Sequence, residues 1–267
     1  QGFHTQIQAG IYRISAGSTI DDLSELFLHG TNDIAITFLE GWRAEEYARH
    51  AAASFKKVDY QDFLALSREK EGYLFPDTYF FKIDTSEEKI VEVLKETFEE
   101  KTSGLIRQKD LDVIGLTELE VITFASIVER EVFDENDRPV VAGILIDRFK
   151  NGELIGADAT TQYATAHLRI CNPIAAVLCP TAEEAAVLDW WPADITLDEL
   201  NWDSPYNTRK NVGLPPKPIS NPSISAIESV LNYQETPYNF YLTDDNGITH
   251  YAVTLDEHNE NVARHLR

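Results

Sequence analysis

Within the apolar stretch FASIVEREV, Phe124 to Val132, two glutamates, Glu129 and Glu131, flank one arginine. Carboxyl groups in so apolar a setting suit proton transfer. Burial beside hydrocarbon disfavours the charged form and raises a carboxyl pKa, sometimes into the range a general acid needs near neutral pH. A helical wheel, stepping about 100° per residue, puts Thr123, Ser126 and Arg130 on one side with Leu119. Val121, Phe124, Ala125, Ile127 and Val128 make a broad apolar arc opposite. Glu129 and Glu131 fall on the two flanks of that arc. Each is a candidate half-buried carboxylate, and helix geometry does not choose between them. The plainer alternative is a solvated or ion-paired glutamate near a helix end. Ser126 precedes no glycine and no base-bearing motif, so a serine-hydrolase reading is weak.

The elements that must hold this helix read as an α+β chain. TQIQAGIYRI has the look of a strand. SAGSTIDDLSELFLHG follows as a helix capped by Ser18 or Thr19, with Asp21 and Asp22 in its first turn and Gly30 as its stop. DIAITFLEGW alternates through Ile34, Ile36 and Phe38 as a second strand, and RAEEYARHAAASF makes a second helix. Pro76 turns EGYLFPDTYFF into a loop running into an extended segment. SEEKIVEVLKETFEEKT is amphipathic, with Ile90, Val91, Val93, Leu94 and Phe98 as its buried stripe. Thr117 and Glu120 form a capping box at the start of the FASIVEREV helix. Another helix is expected across PVVAGILIDRFKNG, and residues 158 to 203 read as helical with an irregular insertion. The Pro- and Gly-rich SPYNTRKNVGLPPKPISNPS reads as extended, and Pro222 is placed at N1 of a last helix, SISAIESVLN. YNFYLTDDNGITHYAVTL reads as a hairpin turning at Asn246-Gly247.

The bulk numbers exclude several roles. With 43% apolar and 25% charged residues over 267 positions, the chain can bury a sizeable core and is not a disordered tail. Its net charge of -22 disfavours a polyanionic partner, so nucleic acid is not expected. No run is long and apolar enough to span a bilayer. The opening QGFHTQIQAG lacks the features of a signal peptide and reads as a piece of a longer precursor cut at a membrane anchor. Cys171 and Cys179 are spaced for a small disulfide loop or are two free thiols. Two cysteines do not make a zinc site, and the DDNG pair reads as a turn rather than a calcium loop.

Five stretches, in order along nearly the whole chain, carry a resemblance. They are EGYLFPDTYFF, FASIVEREV, GADATTQYA (Gly156 to Ala164), SPYNTRKNVGLPPKPISNP (Ser204 to Pro222) and THYAVTLDEHN (Thr249 to Asn259). Together they resemble the YceG-like family of endolytic murein transglycosylases. The resemblance implies a small LysM-like α/β unit over residues 1–80, then a mixed α+β catalytic domain over 81–267 with a C-terminal β-hairpin. It implies a single-pass membrane protein whose active domain lies on the extracytoplasmic side. The implied reaction cleaves the bond between N-acetylmuramic acid and N-acetylglucosamine inside a peptidoglycan strand. It leaves a 1,6-anhydro end and serves to end elongation of nascent strands. Cell-wall synthases are the implied partners, and neither metal nor cofactor is implied. In the family the first glutamate of ASIVE-basic-E is catalytic, and it matches Glu129.

One carboxylic acid suits that chemistry. Glycosidases usually need two, whereas here the sugar's own C6 hydroxyl serves as nucleophile. Glu129 first protonates the departing oxygen and then accepts the C6 hydroxyl proton. The resemblance also marks saccharide-facing candidates: Glu71, Tyr73, Asp77 and Tyr79; Ser126; Thr160, Gln162 and Tyr163; Tyr206 and Asn207. Against each stands a structural role: a capping Asp77, core-packed tyrosines, or turn-forming Asn207. His258 reads as a satisfied histidine closing the domain. Two other classes stay in view. One is a peptidoglycan-binding module without cleavage; the other is a conventional hydrolase with Glu71 as a second carboxylate.

Overall fold

A computed structural model describes residues 12, 14–29, 33–170, 180–185, 187–244 and 246–266. Most of the first expected strand, TQIQAGIYRI, and both cysteines lie outside the described residues. Helix α1 (Ile20–His29) starts at Thr19, whose Oγ1 accepts from Asp22 N at 3.2 Å while Asp22 Oδ2 accepts from Thr19 N at 2.7 Å.

Strand β1 (Asp33–Thr37) turns Ile36 inward, and Phe38 just beyond it is buried too. Helices α2 (Ala44–Ser54) and α3 (Tyr60–Arg68) follow before β2 (Thr78–Lys82) returns antiparallel to β1, with Ile36 opposite Tyr79. Helix α3 went unassigned in the sequence, although its signals are ordinary. Asp59 Oδ1 accepts from Gln61 N and Asp62 N, and Tyr60, Phe63, Leu64 and Ser67 are buried at helical spacing.

Helix α4 (Glu87–Thr102) joins two hydrophobic clusters. Ile90, Val91 and Leu94 pack with Tyr47, Phe63 and Leu74, whereas Phe98 packs into a second cluster around Ile122, Phe124 and Ile127. Val93 is only half-buried. Helix α5 (Gln108–Ile114) ends at Gly115 (φ 69°), a left-handed cap that suits glycine.

Helix α6 (Glu118–Glu131) begins with the expected Thr117–Glu120 box. Residues 121 to 128 are all buried, so the polar side drawn by the wheel does not face solvent. Thr123 Oγ1 donates to Leu119 O and Ser126 Oγ to Thr123 O, each at 2.7 Å, which satisfies both hydroxyls within the helix and lets them enter the core. Each fully buried Ile, Val or Phe here contributes about 1.5–3 kcal/mol of transfer free energy.

Around α6 pack α7 (Arg138–Lys150), α8 (Asp158–Ile170) and α11 (Ile224–Leu231), with the short α9 (Ala182–Ala185) and α10 (Leu197–Leu200) preceding α11. Pro222 is not the first helical residue of α11. Ser223 is the N-cap, accepting from Ala226 N at 3.1 Å, so Pro222 lies one position outside. The segment from 201 to 223 carries no strand, as expected.

Strands β3 (Phe240–Thr243) and β4 (Thr249–Ala252) form the C-terminal hairpin, Leu242 facing His250. Its connection runs from Asp244 to Ile248, closed by Asp244 N to Ile248 O at 3.0 Å, with Gly247 at φ 80°. Helix α12 (Leu255–His265), unassigned in the sequence, follows on a Thr254–Glu257 capping box and buries no residue completely. The result is an α+β fold with small antiparallel sheets. Among the described residues no helix is long and apolar enough to cross a membrane.

Candidate active site

The last turn of α6 sends three successive side chains to three different neighbours. Glu129 reaches the start of α11. Its Oε1 accepts from Arg138 Nη2 at 2.8 Å, and its Oε2 accepts from Ser223 N at 2.9 Å and Ser223 Oγ at 2.5 Å. Both charged side chains are 6% exposed. Arg138 is anchored in turn by Val132 O at 3.2 Å and Ser223 Oγ at 3.1 Å. A carboxylate offers about four lone-pair positions, so three donors leave one free on Oε1.

Arg130 turns the other way, its guanidinium 4.0 Å from the Trp191 ring centroid. Glu131 accepts from Ala159 N at 2.8 Å and from Tyr241 OH at 2.9 Å. Burial, then the negative charge of Asp158, raises its carboxyl above the ordinary range. It lines a cavity of about 910 Å³ together with Gln162, Arg209, Phe240 and His258.

Glu129 is approached from the N-terminal elements by Glu40-Gly41. Gly41 adopts φ 71°, and a Cβ there would lie 3.4 Å from Glu129 Cγ and 3.2 Å from Arg130 Cδ. Gly41 N donates to Asn221 O and Asn221 N to Trp42 O, both at 2.9 Å. Asn221 also ties in the EGYLFP loop, its Oδ1 accepting from Gly72 N at 2.9 Å and Leu74 N at 3.2 Å. Glu40 is thereby held beside the Glu129 pair. Partial burial, then the charge of Glu129, raises its carboxyl. Glu40 and Asp77 line one open hollow of about 470 Å³.

Glu71 belongs to a separate, buried network. It accepts from Ala44 N at 2.8 Å and Tyr163 OH at 2.6 Å. Desolvation, then the charge of Glu45, pushes its carboxyl up to about 7. The buried Arg43 guanidinium sits 3.8 Å over the Tyr163 ring and pairs with Glu45 at 3.1 Å. Glu71, Tyr163 and Tyr206 share a cavity of about 210 Å³ with His167 and Lys217.

The sequence candidates therefore divide among several places. Glu129 stands at the α6–α11 junction, with Asp77 across the hollow from Glu40. Gln162 lines the large cavity, and Tyr163 and Tyr206 line the one with Glu71. Tyr73 lines another hollow, beside Phe98. Four candidates face inward. Tyr79 donates to Phe75 O at 2.7 Å. Ser126 accepts from Ile219 N at 3.0 Å. Thr160 bonds Ala157 O at 2.7 Å and Thr208 Oγ1 at 2.8 Å. Asn207 Nδ2 donates to Leu200 O and Trp202 O, both at 2.9 Å. Asn207, Ser126 and Thr160 are each 0% exposed and offer no atom to a ligand in this structure.

Glu40, Arg138 and Ser223 were not singled out from sequence. Ser223 carried a signal as a helix-cap serine before an apolar run; the other two carried none.

The fold has a solved counterpart. A crystal structure of a YceG-like protein from Listeria monocytogenes superposes with a TM-score of 0.70 at 24% identity, covering 96% of this chain and 85% of that one. The chain belongs to the YceG-like family, whose model matches residues 1–264. Two curated relatives are named endolytic murein transglycosylase. The Streptococcus pneumoniae protein is 28% identical over 306 residues, covering 98% of this chain and 51% of its own length. The Bacillus subtilis protein is 28% identical over 285 residues, covering 95% of this chain and 71% of its own. The chain thus spans about half the length of the first of them.

Proposed function

We propose that this chain is the catalytic part of a lytic transglycosylase that cuts the MurNAc–GlcNAc bond within peptidoglycan strands, with Glu129 as its acid and base. The observation that carries the reading is the three-donor cradle of Arg138 and Ser223 around Glu129 at the end of a buried helix. The names of the relatives agree with it.

The geometry suits a single carboxyl group. Glu129 gives its proton, carried on the Oε1 lone pair that its three donors leave free, to the glycosidic oxygen as the C1–O bond breaks. Arg138 and Ser223 stabilise the carboxylate this leaves. The C6 hydroxyl oxygen then bonds to C1, and its proton returns to Glu129, so no water is consumed. Glu40 adds negative charge beside the Glu129–Arg138 pair, which favours an oxocarbenium-like centre. Glu71, buried in the separate network with Ala44 and Tyr163, is a positioning group rather than a second catalytic carboxylate.

The wider reading follows the same family. We assign residues 1–80 to a LysM-like unit and residues 81–267 to the catalytic unit; the order β1, α2, α3, β2 supports the first, with β2 (Thr78–Lys82) crossing the boundary. The chain works outside the cytoplasmic membrane, held by a single-pass anchor, and releases nascent strands beside cell-wall synthases.

Two observations favour a second reading, a peptidoglycan-binding module without cleavage. Glu129 is ion-paired, and the cavity of about 910 Å³ opens on Glu131 instead. Mass spectrometry of peptidoglycan treated with wild type, Glu129→Gln and Glu131→Gln separates them. Anhydro ends that vanish only with Glu129→Gln support the transglycosylase. Loss only with Glu131→Gln moves the acid to the large cavity. Sacculus binding without cleavage by the wild type supports the binding module.

A further inference from the structure

The hairpin connection, strand β4 and the end of α12 bring together Asp244, His250 and His265, three residues with no part in the site above. One ligand atom from each lies within 4.8 Å of the others. Asp244 Oδ2 is 2.9 Å from His250 Nε2. The His250 and His265 rings stack with centroids 3.6 Å apart and planes 19° from parallel. Asp244 is fixed from behind, its Oδ1 accepting from Asn246 N at 2.9 Å and Ile248 N at 3.0 Å.

We propose that Asp244, His250 and His265 bind one divalent transition-metal ion of the zinc class, which clamps α12 onto the β3–β4 hairpin. Two imidazoles and one carboxylate suit zinc and its neighbours, whereas calcium and magnesium take oxygen ligands. Zinc bonds to nitrogen and oxygen are about 2.0–2.2 Å long, so adjacent ligand atoms on one ion sit roughly 3–3.5 Å apart. Asp244 and His250 already stand near that spacing. His265 must leave its stacked orientation and turn a ring nitrogen toward them, a rotation about a soft sp³–sp² torsion. All three residues are half-buried, the His250 side chain being 21% exposed and that of Asp244 8%, so an ion reaches the site from the histidine side and water completes its shell.

The clamp acts where α12 is otherwise lightly held. That helix buries no residue completely, and its near half is held by an Asn261–Tyr251 hydrogen bond at 3.2 Å and by His258 stacked on Phe240. Leu255, His258 and Val262 of α12 line the cavity that holds Glu131, so an ion at its far end steadies that wall.

The test is calorimetric titration of the metal-stripped chain with Zn²⁺, alongside thermal melts with and without the ion. One ion per chain with a rise in Tm is expected, with affinity lowered at least about tenfold in Asp244→Asn and in His265→Ala. His265 ends its helix, and Asn keeps the Oδ1 acceptor, so both variants should fold. The chain has seven histidines, so equal binding by wild type and both variants would place the ion elsewhere and overturn the proposal, as would no binding. Glu129→Gln should retain full zinc affinity, which keeps this inference separate from the catalytic one.

Discussion

Glu71 makes a sharp test of the buried network. Its carboxyl sits at about 7 in the folded chain against an ordinary glutamate value of 4.5. The folded state therefore binds a proton that the unfolded state has released between those two values. Stability from this group is fully present below about 4.5 and is lost as pH rises through about 7. At about 1.36 kcal/mol per unit, integrating between pH 5 and pH 8 gives a loss on the order of 2–3 kcal/mol. Glu71→Gln removes the titration while keeping an acceptor for Ala44 N and a partner for the Tyr163 hydroxyl. Urea denaturation of both proteins at pH 5 and pH 8 measures the difference. The histidines and surface carboxylates titrate alike in both and cancel. Wild type should lose on the order of 2–3 kcal/mol more than the variant across that interval. Equal losses would refute the reasoning, because Glu71 would then titrate alike in folded and unfolded chains.

Other outcomes follow from the same geometry. Arg138→Met strands a buried carboxylate and should cost about 3–5 kcal/mol by denaturant melt, with Glu129→Gln in that background recovering part of it. Glu40→Gln should leave Tm unchanged and slow formation of anhydro ends about tenfold, a loss of transition-state stabilisation read from kcat/KM by mass spectrometry. Gly143→Ala should destabilise the chain although alanine favours helices by about 1 kcal/mol. The added Cβ would lie 2.0 Å from Gln234 O, and a thermal melt that shows no loss would contradict that packing.

Local signals were legible where the chain's own neighbours set them. The Thr117–Glu120 box, the α4 stripe and the alternation through Ile34, Ile36 and Phe38 depend on residues a few positions apart, and the structure repeats them. Helix α12 also carries such a box, Thr254 with Glu257, yet its run holds few apolar residues and gives little periodicity to read. The start of α11 lies two positions beyond the expected one, because proline at N1 and proline before the cap look alike in sequence.

The family and the importance of FASIVEREV were decided by sequence alone, since order and identity of residues carry them. Helix periodicity, however, specifies only direction around one axis. It left Glu129 and Glu131 equivalent, and it gave Ser126 and Thr123 a polar face that packing abolishes. Only the tertiary structure sends Glu129 to Arg138 and Ser223, and Glu131 to Ala159 and Tyr241. Only long-range main-chain links through Asn221 bring Glu40 to that same place. Charge compensation and desolvation depend on partners far away in the chain, so the environment of each carboxylate exists only once α6, α8, α11 and the hairpin have packed.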